Sequence, residues 1–417
     1  MYKLSEDYFR EVEYADPELA EALNNERKRQ HDYLELNAGE NYASPAVLKA
    51  LGSPMTNKYA DGYPGRRGFA ACENMDAAEN LAIDRLKTIY GAEHANVQSN
   101  SGGDANMIVY YAMLEPGDTV LGPSLLQGGQ MSHGNPKNFS GRFFDYAAFT
   151  LNKETERLDF DVIRKAALEH RPKLIIFGST TYPRDVDHAS FREIADETGA
   201  YYVADVAQFA GIIAAGLMNN PVPHADFVTA STHKTLRGPR GGLVLCKARD
   251  ARAIDDGAWP GTQGSPQMNT IAAKAVCFKE AMQPAFREYQ QQTLANARAL
   301  AAALLDGGVH VATGGTDSHI VSIDVTRQGR TGNEVREILN ECRIIATFYR
   351  TPFEQIPDGK VGGLRTAVSC LTTRGMREAE MEVLASCLID AINEGEKSIE
   401  ENLRRVKQLT EAFPLYE

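Results

Sequence analysis

From about residue 80 the chain alternates helix-like segments with short apolar runs bounded by turn residues. The runs are Thr119-Val-Leu-Gly122, Lys173-Leu-Ile-Ile-Phe-Gly178, Tyr201-Tyr-Val-Ala-Asp205, Phe227-Val-Thr-Ala-Ser231 and Gly242-Leu-Val-Leu-Cys246. Runs that are apolar throughout, rather than alternating, predict strands covered on both faces, hence a mostly parallel sheet wrapped by helices. One intervening helix is expected over Asp76 to Tyr90, with Leu81, Leu86 and Ile89 on its inner face and Gly91 as its stop. Residues 5–33 are polar and helical in pattern, and a long Ala-, Glu- and Gln-rich helix is expected over 268–305. A strand at Ile320-Val-Ser-Ile-Asp324 and helices near 332–341 and 376–412 follow. The expected architecture is α/β: an N-terminal helical arm (1–34), a large domain with a mostly parallel sheet (35–280) and a smaller α+β C-terminal domain (281–417).

Composition narrows the function. The 417 residues carry 44 Lys+Arg against 56 Asp+Glu, a net charge of −12, which argues against nucleic acid or an anionic membrane as partner. The longest apolar stretch, Phe209 to Met218, is far short of the ~20 residues that span a bilayer. The first ten residues have neither a basic nor an apolar leader region. Six cysteines sit far apart without a CxxC or a Cys/His cluster, so reduced thiols and no metal site are expected. Together these features suggest a cytoplasmic metabolic enzyme.

The sharpest chemical feature is Ser231-Thr-His-Lys-Thr-Leu-Arg-Gly-Pro-Arg-Gly-Gly242, a tight turn between two apolar runs. A lysine held there on rigid elements can form a Schiff base once partial burial lowers its pKa. Upstream, Asp205 ends an apolar strand, where a carboxylate can keep a pyridinium nitrogen protonated. Taken alone, an aspartate in that place is more often a helix cap. Ser101-Gly102-Gly103, before a helical segment, offers backbone N–H groups and a hydroxyl to a phosphate. Phosphate turn, acid and lysine, in that order, match the layout of fold-type I pyridoxal phosphate enzymes.

Over about residues 35–415 the chain resembles the serine hydroxymethyltransferase family. The resemblance is carried by Glu40-Asn-Tyr-Ala-Ser-Pro45, Thr56-Asn-Lys-Tyr-Ala-Asp-Gly-Tyr-Pro-Gly65, Glu115-Pro-Gly-Asp-Thr-Val-Leu-Gly122, Asn138-Phe-Ser-Gly141, Asn220-Pro-Val-Pro-His224 and Thr232-His-Lys-Thr-Leu-Arg-Gly-Pro-Arg-Gly-Gly242. It implies that Lys234 carries the cofactor, Asp205 binds its ring nitrogen, and Ser101, Gly102 and Gly103 take its phosphate. Tyr59 and Gly264 would join the phosphate from the partner subunit of a homodimer, or of a dimer of dimers. Thr180 would stand near the cofactor's phenolic oxygen, with His233 beside the lysine. Arg365 would clamp the substrate carboxylate, a task that suits a guanidinium fork.

The departures from the family fall in this same site. Asp61 stands where the family has its catalytic glutamate, about 1.5 Å shorter in reach. Gly68-Phe69 replaces a tyrosine pair, Gln130 the histidine stacked on the ring, and Gln208 the histidine beside the ring acid. Gly39 replaces a serine at the substrate carboxylate, and Thr351-Pro-Phe-Glu354 replaces an Asn-bearing folate loop. Gly39, Phe69, Gln130 and Gln208 therefore remain site candidates with altered chemistry.

The resemblance implies making and breaking the Cα–Cβ bond of a β-hydroxy amino acid, with tetrahydrofolate as one-carbon partner. Loss of the tyrosine pair points instead to a folate-independent aldolase or transaldolase using another aldehyde. A non-catalytic pyridoxal phosphate-binding paralogue is a third reading, opposed by the retention of Lys234, Asp205, Arg365 and an acid at position 61.

Overall fold

The apolar runs become strands because nearly every residue in them is buried, as in Leu174–Phe177, Phe227–Ser231 and Gly242–Cys246. The computed structural model describes residues 4–5, 7–354 and 359–416. Among these, β1 (His94–Asn96), β2 (Thr119–Pro123), β3 (Asp145–Phe149), β4 (Leu174–Phe177), β5 (Tyr201–Asp205), β6 (Phe227–Ser231) and β7 (Gly242–Cys246) form one seven-stranded sheet. Its order is β1-β7-β6-β5-β4-β2-β3; the pairings from β6 through β3 are parallel, and β7 runs antiparallel to both its neighbours. The expected mostly parallel α/β fold is what the chain adopts. Both outermost strands escape the apolar-run pattern, since β1 has three residues and β3 is partly exposed along its length.

The chain divides into two compact units: Ala46–Gln290, which contains this sheet, and a second that joins the segment up to Pro45 with everything from Gln291. The sequence pattern places the boundaries at 34/35 and 280/281; the compact units change over at Pro45/Ala46 and Gln290/Gln291. Within the second unit, Leu34–Glu35 pairs in parallel with Ile344–Ile345, which ties the early segment to the C-terminal one. An antiparallel sheet of His310–Val311, Ile320–Asp324, Gly363–Ala367 and Thr347–Tyr349 completes that unit.

Three helical expectations need correction. The helix Glu73–Tyr90 buries Met75, Ala78, Glu79, Ala82, Leu86 and Tyr90, whereas Leu81 is 48% exposed and Ile89 only partly covered. Of the three expected residues only Leu86 lies on the inner face, which alanines, Met75 and Tyr90 complete. The stretch 268–305 is two helices, Met268–Ala281 and Pro284–Asp306, because Pro284 has no N–H to donate and restricts the residue before it. The stretch 376–412 breaks at Gly395 into Glu378–Glu394 and Ile399–Ala412.

Candidate active site

Three of the expected site segments meet at the carboxyl-terminal ends of β5 and β6 and at the helix that follows β1. Ser101 caps the helix Gly102–Met113, its Oγ accepting from the Asp104 N–H at 3.0 Å. Gly102 closes against the end of β6; a Cβ there would lie 2.5 Å from Ser231 Oγ and would require that hydroxyl to turn away. The N–H groups of this first turn are the kind that bind a phosphate. The turn is braced from behind by Gln263, which accepts from the Asn100 N–H at 3.0 Å and donates to the Gln98 carbonyl at 3.1 Å.

Asp205 is 4% exposed at the end of β5. Its Oδ2 accepts from Asn106 Nδ2 at 2.8 Å and lies 3.1 Å from His133 Nε2, and its Oδ1 accepts from the Ala207 N–H at 3.0 Å. Asn106 is oriented in turn, since Thr229 Oγ1 donates to its carbonyl at 2.6 Å. Burial alone would raise the Asp205 pKa, but the bonds from His133, Asn106 and Ala207, with His133 foremost, hold it below the ordinary carboxylate range. Three donors on a carboxylate with about four acceptor positions leave room for one more N–H, as a pyridinium nitrogen provides. His133 and Asn106 were not foreseen from sequence; their contacts with Asp205 span 72 and 99 residues.

The lysine turn after β6 is cross-braced. Thr232 Oγ1 donates to the Pro239 carbonyl at 2.6 Å, and Thr235 Oγ1 to the carbonyl of Gln208 at 2.9 Å. Lys234 is thereby carried at the mouth of the sheet, half-buried. Arg240 donates to His233 Nε2 at 3.3 Å, which leaves the proton of the neutral ring on Nδ1. Burial first, then the cations Arg240 and Lys234, push the His233 pKa down to about 3, so the ring is neutral at physiological pH. Thr180 binds the turn that carries Gln130, its N–H donating to the Gly128 carbonyl at 2.8 Å. Buried polar atoms without a protein partner include Gln130 Nε2 and His233 Nδ1.

Asp61 sits on a loop gripped from both sides. The Arg67 guanidinium donates to the carbonyls of Ala60 and Gly62 at 2.8 Å each, and to Asp76 and Glu79 at 2.8 and 2.5 Å. Gln98 Nε2 adds a bond to the Gly62 carbonyl at 2.9 Å and one to Glu79 at 2.8 Å. The Arg67 side chain is only 3% exposed. Asp61 Oδ1 is buried without a hydrogen-bond partner. Tyr59 and Phe69 form an edge-to-face pair with centroids 5.5 Å apart, and they are 63% and 45% exposed. Gly264 is exposed too, and a Cβ built on it would touch nothing within 4 Å.

In the other unit, Arg365 lies on the strand Gly363–Ala367 between Ser322 and Thr347 of the flanking strands. Its Nη2 donates to Asn37 Oδ1 at 3.2 Å, and the same oxygen accepts from the Gly39 N–H at 3.0 Å. Asn37 Nδ2 donates to Glu40 at 2.8 Å. Burial, and then Glu40, push the neighbouring Glu35 up to about 7. Glu354 of the expected folate loop accepts through Oε2 from Thr351 N, Thr351 Oγ1 and Gly362 N at 2.8–2.9 Å, while its Oε1 is buried without a hydrogen bond, 3.3 Å from Arg350 Nε.

The phosphate turn, the spare acceptor position on Asp205, and the unpartnered nitrogens of Gln130, on the turn leading to His133, and of His233, next to Lys234, all fit pyridoxal phosphate. With the doubly covered, mostly parallel sheet, they define a fold-type I pyridoxal phosphate enzyme. The family model for serine hydroxymethyltransferase matches residues 12–388. The chain is also 49% identical over 403 residues to a serine hydroxymethyltransferase of Koribacter versatilis (strain Ellin345), covering 96% of this chain and 95% of that protein. The chain belongs to the serine hydroxymethyltransferase family and is a pyridoxal phosphate-dependent enzyme.

Proposed function

We propose that the protein makes and breaks the Cα–Cβ bond of a β-hydroxy amino acid, exchanging serine and glycine by hydroxymethyl transfer. The observation that carries this reading is Asp61: a buried carboxylate oxygen without a partner, on a backbone fixed at both neighbouring carbonyls by Arg67. Such an acid is placed to move a proton at the substrate β-hydroxyl. Pyridoxal phosphate, when bound, supplies the electron sink for the bond broken at Cα. Lys234 would hold the cofactor, Asp205 would keep a proton on its ring nitrogen, and Ser101, Gly102 and Gly103 would bind its phosphate. Gln130 would lie against the ring, with Gln208 beside the acid and Thr180 toward the phenolic oxygen. His233, kept neutral with its proton on Nδ1, can donate a hydrogen bond next to Lys234. Arg365, oriented by Asn37, would bind the substrate carboxylate next to Gly39.

The active assembly we propose is a homodimer in which Tyr59 and Gly264 reach the partner's phosphate. Their exposure supports this, as does an apolar groove of about 620 Å³ lined by Met107, Tyr111, Phe139 and Phe143 and continuing to Gly261 and Thr262. The six cysteines, all buried free thiols, support a reducing, cytoplasmic setting. No described helix is long and apolar enough to cross a membrane.

A second reading, a folate-independent aldolase or transaldolase, is favoured by Gly68 and Phe69, which stand where the family has a tyrosine pair. Exchange of the glycine α-proton in heavy water, followed by NMR with and without tetrahydrofolate, separates the two. Acceleration by folate supports hydroxymethyl transfer. Exchange indifferent to folate, with cleavage of a longer β-hydroxy amino acid, supports the aldolase. No exchange under either condition overturns both.

A further inference from the structure

Lys274, on the helix Met268–Ala281, is 1% exposed. Its ammonium donates to the carbonyls of Val97, Ser99 and Gly242 at 2.7, 2.8 and 2.9 Å. An ammonium has three N–H donors and no acceptor, so this nest matches the charged form donor for donor. The carbonyls are not a random set. Val97 and Ser99 lie on the segment that leads from β1 into the phosphate turn, and Gly242 opens β7 directly after the Lys234 turn. Ser99 O also accepts from the Gly242 N–H at 2.9 Å, so the two segments are stitched together where the ammonium sits.

The glycine pair that ends the lysine motif is shaped by this arrangement. A Cβ on Gly241 would lie 2.4 Å from Lys274 Cε and 2.9 Å from its Nζ. A Cβ on Gly242 would lie 2.2 Å from the carbonyl oxygen of Ser101. The first glycine makes room for the buried cation, and the second lets the phosphate turn close on the strand. Burial of an ammonium is costly, and burial lowers the Lys274 pKa to about 7 against the opposing pull of Glu79, Cys277 and Asp104. A plug that only filled space would avoid that cost with an apolar side chain. A cation behind the phosphate turn adds a positive field to a group of helix N–H donors already facing an anion.

We propose that Lys274 is a positioning residue for the cofactor phosphate: it locks the phosphate turn to the Lys234 turn and sets a buried positive charge behind them. This rests on the phosphate seat at Ser101–Gly103 proposed above. The test compares binding of pyridoxal 5′-phosphate with binding of pyridoxal, which lacks the phosphate, to apoenzyme by titration of the bound chromophore. Lys274→Met should weaken pyridoxal phosphate binding about tenfold or more, the size expected of one lost charge interaction, while pyridoxal binding changes little. Equal weakening of both ligands would overturn the proposal, because it would mean a general loss of structure. Should Lys274→Met not fold, Gly241→Ala serves, since its methyl displaces the ammonium while keeping the charge. There too the preference for the phosphorylated ligand should fall, and an unchanged preference would overturn the proposal. Lys274→Arg, if it folds, should retain more of that preference than Lys274→Met; the reverse order would count against a role for the charge. Ser101→Asp, which puts a carboxylate in the seat, separates the two levels. Preference lost in Ser101→Asp but kept in Lys274→Met overturns Lys274 alone; preference kept in both overturns the seat.

Discussion

Two aspartates of the larger unit, Asp205 and Asp61, are held in opposite ways. Asp205 has three donors on its carboxylate, and one of them, Asn106, is itself oriented by a further bond from Thr229. Asp61 has a buried oxygen with no donor, while its backbone is the part held fast. The first arrangement freezes a charge, with proton uptake made unfavourable by the surrounding donors. The second freezes a position and leaves the proton free to move. A site that stabilises charge in one place and shuttles protons in another needs both.

The contrast can be broken most severely at Asp205. Asp205→Asn keeps the shape and removes the charge, and kcat/KM should fall by about 10²–10³-fold, the scale of losing one preorganised electrostatic contact. Activity near wild type would mean that the ring nitrogen needs no fixed anion. Asp61→Asn should lower kcat by about 10²-fold, the usual share of a positioned acid or base, with cofactor affinity unchanged. If cofactor affinity fell in parallel, Asp61 would belong with Asp205 as a static group and the contrast would collapse.

His133→Asn sharpens the comparison through pH. In the wild type the Asp205 pKa is lowered, so the charge it contributes is present at neutral pH and is lost only as pH falls through that low value. Without the imidazole, burial acts with less opposition and the pKa rises. The acid limb of the kcat/KM profile should therefore move to higher pH, with at most about a tenfold loss at its plateau. An acid limb that does not move would show that His133 is packing alone. The smallest effect is expected from Arg67→Lys, which keeps a charge but cannot span both carbonyls. A several-fold drop in kcat, with the Asp205-dependent acid limb unmoved, would assign Arg67 to Asp61 alone.

These pairs also explain what could be read from the chain. The strand-end positions of Lys234 and Asp205 were legible because each comes at the end of an apolar run. The interior strands were legible for the same reason, since burial on both faces removes polar residues from them. The edges were not: β1 is too short to form a run, and β3 alternates only weakly. His133 lies in a turn without periodicity, so nothing local distinguishes it from the nearby Gln130. Two adjacent arginines suggest a solvated patch, yet a two-residue hairpin strand sends one outward and the other in toward Asp76 and Glu79.

Arg67 has one consequence beyond catalysis. Because the carbonyls on both sides of residue 61 are tethered, the chain there has little freedom to slide forward or back to accommodate a different side chain. In the role proposed for Asp61, the length of that side chain works as a gauge block: a change of one methylene would be passed on to the distance between acid and substrate. A lineage altering the identity of residue 61 would thus change the reach of that side chain in discrete steps.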